Sequence, residues 1–121
     1  MDKSPLVKHL KDLCYKDHVE IASVINKDGD VQASVGNIEP IQLETFGIMA
    51  ATIFGAALTA NEQLRKNKPS KIMVDAPDGE TIIRGVGKNN LLVVRAKKNG
   101  DTNYILEEMN ETSKKILNHL K

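Results

Sequence analysis

Leu6, Leu10, Leu13 and Cys14 recur at helical spacing and lay one apolar stripe along a first helix. Ser4 is a good N-cap and Pro5 suits the first helical position, where a missing N–H costs nothing, so the helix is predicted from Ser4 to near Tyr15. The pattern then changes period. His18–Asn26, with Val19, Ile21, Val24 and Ile25, is rich in β-branched residues and reads as a strand. Lys27-Asp28-Gly29-Asp30 carries the Asp-Gly hairpin signal, and Val31–Val35 is the returning strand, broken by Gly36-Asn37. From Pro40 or Ile41 to about Lys66 no proline interrupts a long helical pattern. Three strands follow, Lys71–Ala76, Thr81–Gly87 and Leu91–Ala96, separated by the turns Pro77-Asp78-Gly79 and Lys88-Asn89-Asn90. Asn99-Gly100-Asp101 closes the last strand. Asp101 or Thr102 then caps a final helix with Ile105, Leu106, Met109, Ile116, Leu117 and Leu120 on one side.

Each link between successive strands is short enough for a hairpin, so each block of strands is predicted to be antiparallel. Apolar residues occupy both parities of Ile72–Val74, Ile82–Ile83 and Leu91–Val94, as in strands covered on both faces. The expected fold is therefore a three-layer α/β/α domain of order α-β-β-α-β-β-β-α. The long helix lies on one face and the two terminal helices on the other. A chain of 121 residues has room for one such domain, expected over residues 1–121.

The long helix has more apolar surface than one sheet face uses. Phe46, Met49, Ala50, Ile53, Ala57, Ala60 and Leu64 form one stripe at 100° per residue, the width of a core-facing side. Beside it runs a second, Leu43, Gly47, Ala51, Phe54 and Leu58, with Gly47, Ala51 and Gly55 spaced four apart. Glycine inside a helix costs about 1 kcal/mol relative to alanine, so two of them call for an offsetting contact. In one reading the helix sinks into a curved sheet and Gly47 and Gly55 touch strands. In the other this flank packs against its own copy in a two-fold dimer. The second reading makes Leu43, Gly47, Ala51, Phe54, Gly55 and Leu58 a dimer or partner interface.

Composition removes several function classes. Net charge is +1 with both signs interspersed, and only four residues are aromatic, so no basic stripe or stacking platform for nucleic acid is visible. No signal peptide is visible, and Phe46–Ala60 falls short of the roughly 18 apolar residues of a membrane span, so a cytoplasmic protein without a span is expected. The single cysteine, Cys14, lies in an apolar stripe and reads as a core residue. His9, His18 and His119 are scattered, without metal-ligand spacing. Gly85-Val86-Gly87-Lys88-Asn89 lacks the Walker pattern, with Ile82 where a glycine is needed and Asn89 where a hydroxyl is needed. Asp75, Asp78 and Glu80 crowd one turn without calcium-loop spacing. No catalytic, metal or cofactor site is expected.

The element order, the Asp28-Gly29 hairpin, the helix Met49-Ala50-Ala51-Thr52-Ile53-Phe54-Gly55-Ala56-Ala57 and the strand entry Gly87-Lys88-Asn89-Asn90-Leu91-Leu92-Val93-Val94 together resemble the Roadblock/dynein light chain family, the Mgl-type GTPase regulators among its members. The resemblance runs from about Leu6 to Leu117. It implies a five-stranded antiparallel sheet, Roadblock-like or profilin-like, with the central helix on one face. It further implies pairing through that helix and the following strand, here Lys71, Ile72, Met73, Val74 and Asp75 through to Ala76, into a ten-stranded sheet. As to function, it implies a non-enzymatic, homodimeric regulator or scaffold for a Ras-like small GTPase, or alternatively a dynein-light-chain-like structural adaptor with no GTPase partner.

Overall fold

The chain, in a computed structural model that describes residues 2–15 and 18–120, changes element where its hydrophobic period changes. The elements are α1 (Ser4–Cys14), β1 (Val19–Asn26), β2 (Val31–Gly36), α2 (Pro40–Gln63), β3 (Lys71–Ala76), β4 (Gly79–Val86), β5 (Asn90–Lys97) and α3 (Thr102–Leu117). Several ends differ from expectation, β4 running Gly79–Val86 in place of Thr81–Gly87, β5 Asn90–Lys97 in place of Leu91–Ala96 and α3 stopping at Leu117 before Leu120, and the helix ends have local reasons. Ser4 is inside α1, and the carboxylate of Asp2 accepts its N–H at 2.9 Å. Helix α2 stops at Gln63, before Lys66, because Arg65 adopts a left-handed φ of 57° and its N–H turns back to Glu62. At α3, Asp101 accepts from the Tyr104 N–H as a cap should.

All neighbouring strands are antiparallel, in the order β2-β1-β5-β4-β3. The step that joins the two blocks is β1 with β5, pairing Val24 with Leu92 and Ala22 with Val94. Those four side chains point to one face, where Leu6 and Leu10 of α1 and Ile105, Met109 and Ile116 of α3 meet them in the larger core cluster. Each such fully buried aliphatic side chain contributes roughly 1.5–3 kcal/mol. On the opposite face Ile25, Ile83, Leu91 and Val93 form a smaller cluster under Ala50, Phe46 and Phe54 of α2. The sheet is covered on both faces, as its doubly apolar strands require.

The placement of α2 departs from the wheel. The stripe that included Met49, Ile53 and Leu64 was expected to face the sheet, yet these residues are 51%, 39% and 68% exposed. The sheet receives the neighbouring flank together with the near edge of that stripe: Gly47 and Ala50 are buried, and Leu43, Phe46, Ala51, Phe54, Ala57 and Leu58 are half-buried. The helix is thus turned by roughly a quarter turn, about one residue's worth of rotation. Gly47 accounts for the choice. A Cβ there would stand 2.8 Å from the Gly29 carbonyl oxygen and 3.2 Å from a Val31 methyl, so only a residue without a side chain lets the helix seat on the β1–β2 hairpin. By length and hydropathy α2 also exceeds what Phe46–Ala60 alone indicated, with a mean hydropathy of 1.5 over an 18-residue window. It is long and apolar enough to cross a membrane, and in this fold it lies across a sheet.

Candidate partner interface

Two features of one molecule are left without cover. Along α2, Thr45, Thr52, Thr59 and Gln63 face away from the sheet, with exposed Ile48 on one side of them and exposed Met49, Ile53, Ala56 and Ala60 on the other. The hydroxyls of Thr45 and Thr52 donate to the carbonyls of Ile41 and Ile48, one turn back, which softens the polarity of the strip. The second feature is β3. It pairs only with β4 and ends the sheet, leaving one row of backbone groups open. Its register sends Ile72 and Val74 to the α2 face, where Ile72 joins the cluster under the helix and Val74 is 41% exposed. Lys71, Met73 and Asp75 point to the other face and are exposed.

The six residues expected to form a flank open to a second helix are divided by the fold. Gly47 is consumed by the sheet, and Leu43, Ala51, Phe54 and Leu58 lean on it, whereas Gly55 stands open with no atom within 4 Å of where a Cβ would be. Residues four apart drift by about 40° per step around a helix, so a run from Gly47 to Gly55 passes from the inside to the rim. Of the outward apolar residues, Met49 and Ile53 fit the expected core stripe and so gave no sign of being surface, while Ile48 belongs to neither stripe. The β3 segment Lys71–Asp75 lies at the sheet edge as the resemblance implied.

Groups with chemical potential are engaged locally. Arg95 pairs with Asp78 at 2.8 Å, Thr102 donates to Glu80 at 2.6 Å, and Arg84 donates to Asn110 at 2.7 Å. Asp78 and Glu80 therefore belong to the packing of the β3–β4 turn. Burial pushes the Cys14 thiol up, away from the reactive thiolate, and its Sγ lies 3.9 Å from the Val35 carbonyl oxygen. Among the described residues no group of three His, Cys, Asp or Glu is arranged to hold a metal ion. What the arrangement offers is surface: an apolar helix beside a polar strip, and an open strand edge.

Residues 7–96 match the Roadblock/LC7 domain. The chain belongs to the Roadblock/LC7 family. The match begins in α1 and ends in β5, so α3 lies beyond the part that defines the family by sequence. Solved Roadblock structures do reach across it. A Roadblock/LC7 domain from Streptomyces avermitilis superposes with a TM-score of 0.90 at 18% identity, over 96% of this chain and 98% of that one. MglB of Myxococcus xanthus gives 0.91 at 13% identity, over 98% of this chain and 96% of that one. LokiProfilin2, solved in a complex with rabbit actin, gives 0.69 at 15% identity over 99% of this chain and all of that one, which ties the Roadblock fold to the profilin-like shape. At such identities the likeness is one of fold. No curated protein sequence matches the chain.

Proposed function

We propose that residues 1–121 form one Roadblock unit that pairs with its own copy and acts as a cytoplasmic regulatory platform for a Ras-like small GTPase, itself performing no nucleotide chemistry. The observation that carries the reading is the coincidence, in a Roadblock/LC7 chain, of an outward apolar face on α2 with an unpaired edge on β3. Edge strands are ordinarily blunted or covered, and a two-fold contact that pairs β3 with β3 covers both copies at once. The helix face supplies what strand pairing lacks, an apolar centre in Met49 and Ile53 rimmed by Thr52, Thr59 and Gln63. A specific interface of this kind buries roughly 1,200–2,000 Å² or more in total. In this reading the interface expected from sequence is redrawn: Met73 and Val74 remain in it, Ile48, Met49 and Ile53 enter, and Gly47 and Gly55 leave.

Regulation requires different affinities for the GTP and GDP states, because equal affinity shifts nothing. The test is to establish the solution mass by sedimentation, then titrate the protein against the small GTPases of its own genome, each loaded with GDP or a GTP analogue. A dimer that binds one GTPase preferentially in one nucleotide state is the expected result. A dimer that binds none, recovered from cells only with motor or scaffold proteins, would establish the adaptor reading instead. Hydrolysis of GTP by the isolated protein would overturn the non-enzymatic part.

A further inference from the structure

Beside the C-terminal half of α2 the fold leaves a half-open cavity of about 300 Å³. That size is at the lower end of small-molecule sites. Its apolar wall comes from Phe54 and Leu58 of α2 and Leu91 of β5. Its rim is basic: Lys27 from the β1–β2 turn, Lys68 from the α2–β3 loop and Lys88 from the β4–β5 turn. Arg84 also borders the cavity, but its register with Leu92 sends its side chain to the opposite face of the sheet, where the guanidinium donates to Asn110 of α3. Among the described residues no aspartate or glutamate lines the cavity, in a chain whose 17 basic and 16 acidic residues nearly balance. The three lysines are exposed, and among the described residues none of them is in an ion pair. Three separate loops thus bring like charge to one apolar mouth, and among the described residues no ion pair neutralises it.

Gly55 adds an independent observation. It lines the same cavity, and a Cβ there would meet no atom within 4 Å. A mid-helix glycine costs roughly 0.5–1 kcal/mol against alanine, and unlike Gly47 this one is required by no contact inside the chain. What its missing side chain does is keep the mouth open. The Gly85-Val86-Gly87-Lys88-Asn89 segment, which is no Walker loop, also serves this cavity: Gly85 supports the Phe54 ring, 3.4 Å from where its Cβ would be, and Gly87, at φ 64°, turns the chain so that Lys88 reaches the rim.

The geometry points to a binding site for a small amphipathic anion, an apolar body such as a short acyl chain or single aromatic ring ending in a phosphate or carboxylate. The body replaces water against Phe54, Leu58 and Leu91, a gain of roughly 25 cal/mol per Å² of apolar surface. The head remains at the solvent edge, where the lysine ammonium groups act as mobile point charges suited to either oxyanion. The site is independent of whether the platform binds a GTPase.

The experiment is an NMR titration of the full chain with four probes: octyl phosphate, octanoate, 1-octanol and inorganic phosphate. Octyl phosphate or octanoate should shift the amides of Gly55, Gly87 and Leu91 saturably, and whichever binds more tightly identifies the head group. The uncharged 1-octanol should bind at least about tenfold more weakly, and so should either anion to the triple variant Lys27→Glu/Lys68→Glu/Lys88→Glu, since each exposed charge contact is modest and three are reversed. Gly55→Leu should abolish binding of both anionic amphiphiles while the circular dichroism spectrum is retained. Equal affinity for 1-octanol and octyl phosphate, undiminished anion binding by the triple variant, or shifts confined to Met49 and Ile53 would each overturn the assignment. So would inorganic phosphate binding as tightly as octyl phosphate, which would leave the apolar wall without a role. A wild-type chain that binds neither amphiphile would overturn it too, whether or not a second copy occupies the mouth.

Discussion

Two glycines eight residues apart in one helix do opposite things. Gly47 is pressed onto backbone: its missing Cβ would sit 2.8 Å from a carbonyl oxygen that belongs to a turn and has little room to retreat. Gly47→Ala should therefore cost about 1–3 kcal/mol, the range for overpacking a filled site. Gly55 has open space, so Gly55→Ala should raise stability by up to about 1 kcal/mol through helix propensity alone. Urea denaturation of the two variants, with concentration held fixed, checks both signs. A stability loss for Gly55→Ala would mean that a second chain comes against that position.

At the scale of elements, α1 and α3 pack on one sheet face and bring His9 and His119 together, ring centroids 5.8 Å apart and stacked. Partial burial holds His9 below its usual value of 6.5, and the neighbouring His119, Lys115 and Lys8 add to the depression against a smaller opposing pull from Asp12. A histidine depressed in the folded state binds its proton more readily when unfolded. Its contribution to stability is thus fully present above pH 6.5 and is lost as pH falls through the folded value. Melting temperature should decline between pH 7 and pH 5.5 (chosen to bracket the ordinary value), and His9→Gln should flatten that slope. An unchanged slope in His9→Gln would assign the acid sensitivity to other groups. The same two helices show how α3 is tied down: Leu117 closes over Gly87, within 2.9 Å of where a Cβ would stand.

The whole molecule is asymmetric in how well it is covered. The face under α1 and α3 is filled by fully buried leucines, isoleucines and methionine, whereas α2 buries only Gly47 and Ala50 completely. In the proposed function a second copy covers that face. The double variant Met49→Glu/Ile53→Glu places charge on side chains already exposed in one protomer, so folding should survive while association is lost. Sedimentation should show the wild type as a dimer and the variant as a monomer with an unchanged circular dichroism spectrum. A variant that remains dimeric would move the interface away from this face of α2. Ala51→Glu is the contrasting case: Ala51 leans on the core cluster, and a carboxylate there should unfold the protomer before it reports on pairing.

The order of elements and the Asp28-Gly29 and Pro77-Asp78-Gly79 turns were written locally, in periodicity and in residues with restricted or permissive backbones. So was the doubly covered sheet, through apolar residues on both parities of Leu91–Val94. Three things were not. The pairing of β1 with β5 joins residues some 70 positions apart by roughly matched backbones, and no local signal selects that neighbour. The rotation of α2 escaped the wheel because apolar residues surround most of the helix, and periodicity gives no direction when both flanks qualify. The Gly29 carbonyl decided it, by admitting a glycine and nothing larger. The basic mouth under α2 was likewise invisible, since Lys27, Lys68 and Lys88 share no spacing and converge only when three loops are folded to one end of the sheet. Local composition determines which elements form; which side chains meet is decided by close packing, where a single backbone contact can outweigh a whole apolar stripe.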